Sequence, residues 1–126
     1  MKGVLVDTSV WVDHFRKNNH SLIILLEQDL VMAHPMVVGE LACGTPPARS
    51  QTLSDLSSLQ QSQQASIGDV MAFIEREKLY GLGCGLVDIL LLASTLMTPE
   101  VELWTLDKRL SGLADRFGVM YSPAIH

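Results

Sequence analysis

The sequence predicts an α/β fold, a three-layer sandwich in which a mainly parallel central sheet of four to five short strands is flanked by helices. Two patterns point there. Short β-branched apolar runs alternate with helix-length segments along the chain, and two of those runs stop on an aspartate, at the strand end where parallel sheets place their ligands. The size fits as well, since 126 residues, 48% of them hydrophobic and 18% charged, make one well-buried domain over residues 1–126 and are too few for two cores.

Taken in order, Val4-Leu5-Val6 is a short buried strand, an apolar β-branched run cut off by polar Asp7-Thr8-Ser9. Thr8 or Ser9 is placed to cap the helix that follows, Val10 to Arg16, and a second helix covers Ser21 to Gln28. Leu30 to Ala33 is the next strand. His34-Pro35 then opens a helix, with proline tolerated in its first turn, and Gly44 stops it after Cys43. Beyond Pro46-Pro47 the Ser- and Gln-rich stretch from Ala48 to Ala65, with Leu53, Leu56 and Leu59 three apart, reads as a surface helix followed by a loop at Gln60-Gln61-Ser62-Gln63-Gln64. An amphipathic helix from Ile67 to Tyr80 turns Ile67, Val70, Met71 and Ile74 inward. Gly81, Gly83 and Gly85 break it. Leu86 to Met97 is apolar on every side, a central buried helix ended before Pro99. Val101 to Leu106 is a strand, Lys108 to Phe117 a helix and Val119 to Tyr121 a last strand.

Several function classes drop out. The longest apolar run, Leu86 to Met97, carries Asp88, Ser94 and Thr95 and falls short of the roughly 18 uninterrupted apolar residues of a membrane span. Asp7 ends the first apolar run before a signal-peptide core forms, so the chain reads as cytoplasmic. Cys43 and Cys84 lack Cys-x-x-Cys or His spacing for zinc and read as reduced, buried, small apolar residues. His14, His20, His34 and His126 form no catalytic pattern, and no Ser or Cys nucleophile has a His and an acid in a recognisable arrangement. Asp7 is followed by Thr8 and Ser9, not by the second acid of a phosphoacceptor domain or the Asp two positions on of a haloacid-dehalogenase-type phosphatase. Gly81 to Gly85 follows a helix and lacks the third glycine of a nucleotide loop. The net charge of −5, from 14 acids and 9 bases, excludes gripping nucleic acid through the overall field, so any such contact is local and metal-assisted. Trp11 and Trp104 read as core or interface residues rather than platforms for stacked bases.

Four acids sit where the pattern calls for apolar residues. Asp7 and Asp107 close strands, Glu40 lies in a helix with no other charge, among Met36, Val37, Cys43 and Gly44, and Asp88 shares a face with Leu91, Leu92 and Thr95. Singly each has a structural role open to it: Asp7 and Asp107 as helix caps, Asp88 at a positive helix end, Glu40 paired to a distant base. Together they fall on four segments that an α/β fold brings to one sheet edge. Two carboxylates about 5 Å apart, at an effective dielectric near 20, repel by about 3 kcal/mol, and several such pairs rival the roughly 5–15 kcal/mol stability of a small domain. Such a cluster takes up protons or binds a cation. All-oxygen ligands without Cys or His favour Mg²⁺ or Mn²⁺ over zinc.

Val6-Asp7-Thr8-Ser9-Val10-Trp11, Glu40-Leu41-x-x-Gly44, Gly85-Leu86-Val87-Asp88-Ile89-x-x-x-Ala93 and Thr105-Leu106-Asp107 together resemble the ordered acidic motifs of PIN-domain ribonucleases, specifically the VapC-like toxins of bacterial toxin–antitoxin pairs. The resemblance spans Val4 to Tyr121. It implies a PIN-like sandwich, catalytic metal-binding acids at Asp7, Glu40, Asp88 and Asp107, and supporting polar residues at Ser9 and Thr105. It further implies hydrolysis of RNA phosphodiesters by water activated on one or two Mg²⁺ or Mn²⁺ ions, leaving a 5′-phosphate and a 3′-hydroxyl. A cognate antitoxin whose tail blocks the site and a homodimer are implied as partners. Leu110 departs from the pattern, standing where relatives often carry an aromatic. Among the few bases, Arg16, Lys17, Lys108 and Arg109 are the RNA-contacting candidates because they closely follow Asp7 and Asp107, ahead of Arg49 and Arg116. Met71, Phe73 and the leucines at 53, 56 and 59 are candidates for an exposed apolar face, either dimer contact or antitoxin groove, with core packing the first reading for any one of them. The alternative is a catalytically silent PIN-like module that binds protein; the presence of all four acids speaks against it.

Overall fold

The computed structural model describes residues 2–124. Its sheet has four strands, β1 (Gly3–Val6), β2 (Val31–Ala33), β3 (Gln60–Gln61) and β4 (Val101–Trp104), in the order β3-β2-β1-β4, every neighbouring pair parallel. All four residues of β1 are buried, and because successive strand side chains point to opposite faces, both faces of the sheet are covered there. The covering helices are α1 (Thr8–Lys17), α2 (His20–Glu27), α3 (Pro35–Ala42), α4 (Arg49–Ser57), α5 (Ile67–Glu77), α6 (Leu86–Met97) and α7 (Lys108–Arg116). This is the predicted three-layer α/β sandwich.

Close approach at the sheet explains Gly3. A Cβ there would lie 2.6 Å from Met32 Sδ, so any larger residue has to displace the Met32 side chain. On the other side Val6 pairs with Trp104, and the Asp7 amide donates to the Trp104 carbonyl at 2.9 Å. β1 and β4 therefore end level with each other. With β2 on one side of β1 and β4 on the other, β1 is the point where the strand order reverses, and the crevice beyond its carboxyl end is where such sheets bind ligands.

Seven successive residues of α6, Ile89 to Thr95, are buried, as its all-round apolar pattern predicts, with α5 and α7 packed on it and β4 beneath. Its interior polar groups are satisfied. Thr95 Oγ1 donates to the Leu91 carbonyl at 2.8 Å, and Ser94 Oγ meets His34 Nε2 at 3.1 Å and accepts from the Ala65 amide at 3.0 Å. His34 also caps α3, its Nδ1 accepting from the Met36 amide at 3.0 Å. One imidazole thus joins the end of β2, the start of α3 and the middle of α6.

Five expectations are corrected. The 48–65 segment is helical only to Ser57, and Gln60-Gln61 is an edge strand rather than a loop; its side chains face solvent and only its backbone pairs, so no apolar alternation marks it. Residues 119–121 form an isolated parallel bridge between Leu103 and Met120 rather than a full strand, held by backbone bonds on both sides of Leu103. On α5 the inward stripe is Val70, Phe73 and Ile74, while Ile67 and Met71 are half-exposed, because Phe73 stacks on Phe117 at 5.3 Å and rotates the face by one position. Phe73 and Leu56 are therefore core and not exposed surface, Leu53 and Leu59 are half-buried, and of that predicted set only Met71 is exposed. Neither cysteine is buried: Cys43 is exposed just past α3, and Cys84 is half-exposed in the glycine loop. Trp11 and Trp104 are core, Leu110 is fully buried, and His126 lies outside the described residues. No helix among the described residues is long and apolar enough to cross a membrane.

Candidate active site

Asp7 leaves the end of β1 and is 6% exposed, which makes its hydrogen bonds decisive. It occupies the position before α1 yet makes no cap bond, and neither Thr8 nor Ser9 caps the helix either, contrary to the expected use of these residues. Their hydroxyls serve carboxylates instead. Ser9 Oγ and Thr105 Oγ1 both donate to Asp7 Oδ2 at 2.7 Å. Each accepts a backbone N–H in turn, Ser9 from Leu106 at 3.0 Å and Thr105 from Asp107 at 3.1 Å, so each hydroxyl proton is aimed at the carboxylate. The two predicted supporting residues form one hydroxyl cradle across the β1 and β4 ends.

Asp107 caps α7, with Oδ1 accepting from the Arg109 and Leu110 amides at 2.9 and 3.0 Å. Asp88 stands in the first turn of α6, where its Oδ2 accepts from the Gly85 amide at 3.2 Å. Burial pushes the Asp88 carboxyl above the usual range, the charges of Asp7 and Asp107 push it further, and the Gly85 N–H opposes them. Three acids therefore share one field. Glu40, exposed on α3, joins through Thr8, whose Oγ1 donates to Oε1 at 2.7 Å.

Each of the four acids thus has one oxygen held by the protein. The other, Oδ1 of Asp7, Oε2 of Glu40, Oδ1 of Asp88 and Oδ2 of Asp107, accepts no hydrogen bond among the described residues. No lysine or arginine pairs with them either, since the ion pairs among the described residues are Lys17 with Asp13 and Arg76 and Arg116 with Glu77. Oxygens so presented are hard donors suited to Mg²⁺ or Mn²⁺. They do not form a closed shell, because among the described residues no three ligating side chains are grouped tightly enough to hold a metal ion.

The predicted basic residues divide. Lys17 is in the last turn of α1, about 15 Å along the helix from Asp7, and pairs with Asp13 at 3.4 Å. Arg16 lines a groove between α1 and α3 with Thr8, Val12, Phe15, Glu40, Leu41 and the 44–47 turn, about 470 Å³ in volume. Lys108 is exposed beside Asp107. Arg109 lies over Gly83, where a Cβ would stand 2.8 Å from its Cδ. Arg49, the first residue of α4, reaches back to the end of α3, donating to the Gly44 carbonyl at 3.2 Å.

Sequence reasoning missed the part played by Thr8 and by the glycine loop, which reads as a helix break only. The loop supplies the Gly85 amide to Asp88, seats Arg109 on Gly83 and places Cys84 close by. Burial, Asp88 and Asp107 raise the Cys84 thiol, and Arg109 counters them. The available signal was the alternation of glycines, which serves positive φ at Gly81 and Gly83.

A parallel sheet reversing order at β1, with Asp7, Asp88 and Asp107 in one field beyond its carboxyl edge and Glu40 tied to Thr8, has the architecture of a PIN-like domain. Over 116 residues, 92% of this chain and 94% of the relative, the sequence is 39% identical to Ribonuclease VapC32 of Mycobacterium tuberculosis, in each of two strains. The chain belongs to the VapC-like PIN-domain ribonucleases. No protein-family model matches it.

Proposed function

We propose that this protein is a divalent-metal-dependent endoribonuclease, the toxin of a toxin–antitoxin pair, and that Asp7, Glu40, Asp88 and Asp107 hold Mg²⁺ or Mn²⁺. The observation that carries this reading is the shared arrangement of the four carboxylates, each tied by one oxygen and open at the other. A bound ion would supply a water of lowered pKa and stabilise charge on the phosphate and the leaving oxygen. The chain's own residues do the rest. Ser9 and Thr105 keep Asp7 in one orientation, and the backbone amides of α7 do the same for Asp107.

RNA reaches the site through local contacts, with Lys108 and Arg109 following Asp107 in the chain, Arg16 lining the groove with Glu40, and Lys17 paired with Asp13. The groove beside Glu40 suits an antitoxin segment that blocks the site, because its apolar walls stand beside the Glu40 carboxylate and Arg16. Half-exposed Ile67, Met71, Leu96 and Met97 support a homodimer face. Residues 1–126 act as one domain, in the cytoplasm with the RNA they cut.

The test is cleavage of end-labelled RNA by wild type and Asp7→Asn, each with Mn²⁺ and with EDTA. Metal-dependent cuts by wild type alone are expected. Cuts by the purified variant refute the assignment of Asp7, and wild type that binds partner protein but cuts no cellular RNA leaves the silent module as the function.

A further inference from the structure

We propose that Thr8 is a positioning residue for Glu40, an inference that rests on the metal-site reading above. Glu40 differs from the other three acids in how it is held. Asp7, Asp88 and Asp107 are short side chains at strand or helix ends and are fixed wholly or partly by backbone amides or buried hydroxyls, whereas Glu40 is a long, exposed side chain whose hydrogen bond is to Thr8 Oγ1, 2.7 Å from Oε1. Without that bond nothing in its helix restrains it, for its neighbours at three and four positions are Met36, Val37, Cys43 and Gly44.

Thr8 is well placed to direct a carboxylate. It follows Asp7, whose amide is tied to the Trp104 carbonyl at 2.9 Å, so its backbone is anchored to the same strand end as the first acid. Its β-branched side chain is stiff at χ1. Its hydroxyl makes no bond to α1 itself, since the cap position belongs to Asp7 and α1 has no side-chain cap bond. One proton therefore goes to Oε1 of Glu40 and leaves Oε2 without a hydrogen bond among the described residues. In this way α1 sets the angle at which α3 offers its acid.

The test measures Mn²⁺ binding by the full chain in the absence of RNA, from the free Mn²⁺ signal in electron paramagnetic resonance, for wild type, Thr8→Val, Thr8→Ser and Asp88→Asn. Thr8→Val keeps the shape and loses the donor; Thr8→Ser keeps the donor. Expected are Mn²⁺ binding about tenfold weaker in Thr8→Val, the scale of losing a hydrogen bond behind a ligand, near-wild-type binding in Thr8→Ser, and no tight binding in Asp88→Asn. Melting temperature in EDTA, unchanged by Thr8→Val, separates positioning from folding. In cleavage assays Thr8→Val should need more Mn²⁺ and regain its rate at saturation. Wild-type affinity in Thr8→Val, with Asp88→Asn impaired, overturns the role of Thr8 and leaves the metal site standing. Equal weakening in Thr8→Ser and Thr8→Val also overturns it, and no Mn²⁺ binding by wild type overturns both readings.

Discussion

Acidification should loosen the joint that His34 makes between β2, α3 and α6. The imidazole is 2% exposed, and because Nδ1 accepts the Met36 N–H at 3.0 Å it carries its single proton on Nε2, toward Ser94 Oγ at 3.1 Å. A second proton on Nδ1 would oppose the Met36 N–H, and burial accordingly lowers the His34 pKa from its ordinary 6.5. The sign follows: below pH 6.5 the unfolded chain binds a proton that the folded chain resists, so this contribution is complete above 6.5 and declines as pH falls toward the lowered folded value. The slope is at most about 1.4 kcal/mol per pH unit, the limit for one proton taken up on unfolding. At about 2 cal/mol/K of unfolding entropy per residue, each 1 kcal/mol so lost lowers the melting temperature of a 126-residue chain by about 4 °C. The comparison is His34→Asn, which keeps an acceptor for the Met36 amide but does not titrate, so other groups cancel in the difference between the two melting curves. If wild type and variant show the same change between pH 7 and 5.5, His34 is not the neutral anchor described.

Two further perturbations test the neighbourhood of the acids. Asp88→Asn should raise the melting temperature in EDTA at neutral pH by about 2–4 °C, since it removes a half-buried charge facing Asp7 and Asp107, while Mn²⁺ should then stabilise wild type more than the variant. Because the Asp88 carboxyl is raised, the advantage of the variant should shrink as pH falls through the raised value and vanish below the ordinary carboxylate range; an unchanged or lower melting temperature at neutral pH contradicts the shared field. Gly83→Ala combines a positive φ of 85° with a clash on Arg109 and should cost about 1–3 kcal/mol. In a double-mutant cycle with Arg109→Ala the steric part disappears, so the combined cost should be less than the sum; strict additivity contradicts the packing of Arg109 on Gly83.

The reading from sequence held best where a single residue or a short period carries the physics. Val4-Leu5-Val6 is buried on both faces as an unbroken apolar run requires, and α6 is buried around most of its circumference as its composition predicts. Asp7, Asp88 and Asp107 stood out because a charge in an apolar pattern needs compensation, and the fold brings these three into one field, with Glu40 joined by a hydroxyl. Where the reading slipped, the deciding contact lay elsewhere in the chain. Phe73 turns inward because Phe117 is there to meet it, and Gln60-Gln61 becomes a strand because β2 offers an unpaired edge.

By itself the sequence determined the α/β class and the buried strands and helices, because burial is a property of local pattern and side-chain type; of the four acids it singled out, Asp7 is buried and Asp88 half-buried, while Glu40 and Asp107 are exposed. Only the tertiary structure decided that Thr8 serves Glu40, that Ser9 and Thr105 share Asp7, and that Arg109 rests on Gly83. The physical reason is range. A hydrogen bond acts over about 3 Å and depends on direction, so residues 32 or 98 positions apart are joined by the path of the backbone, and no period in the sequence records that path.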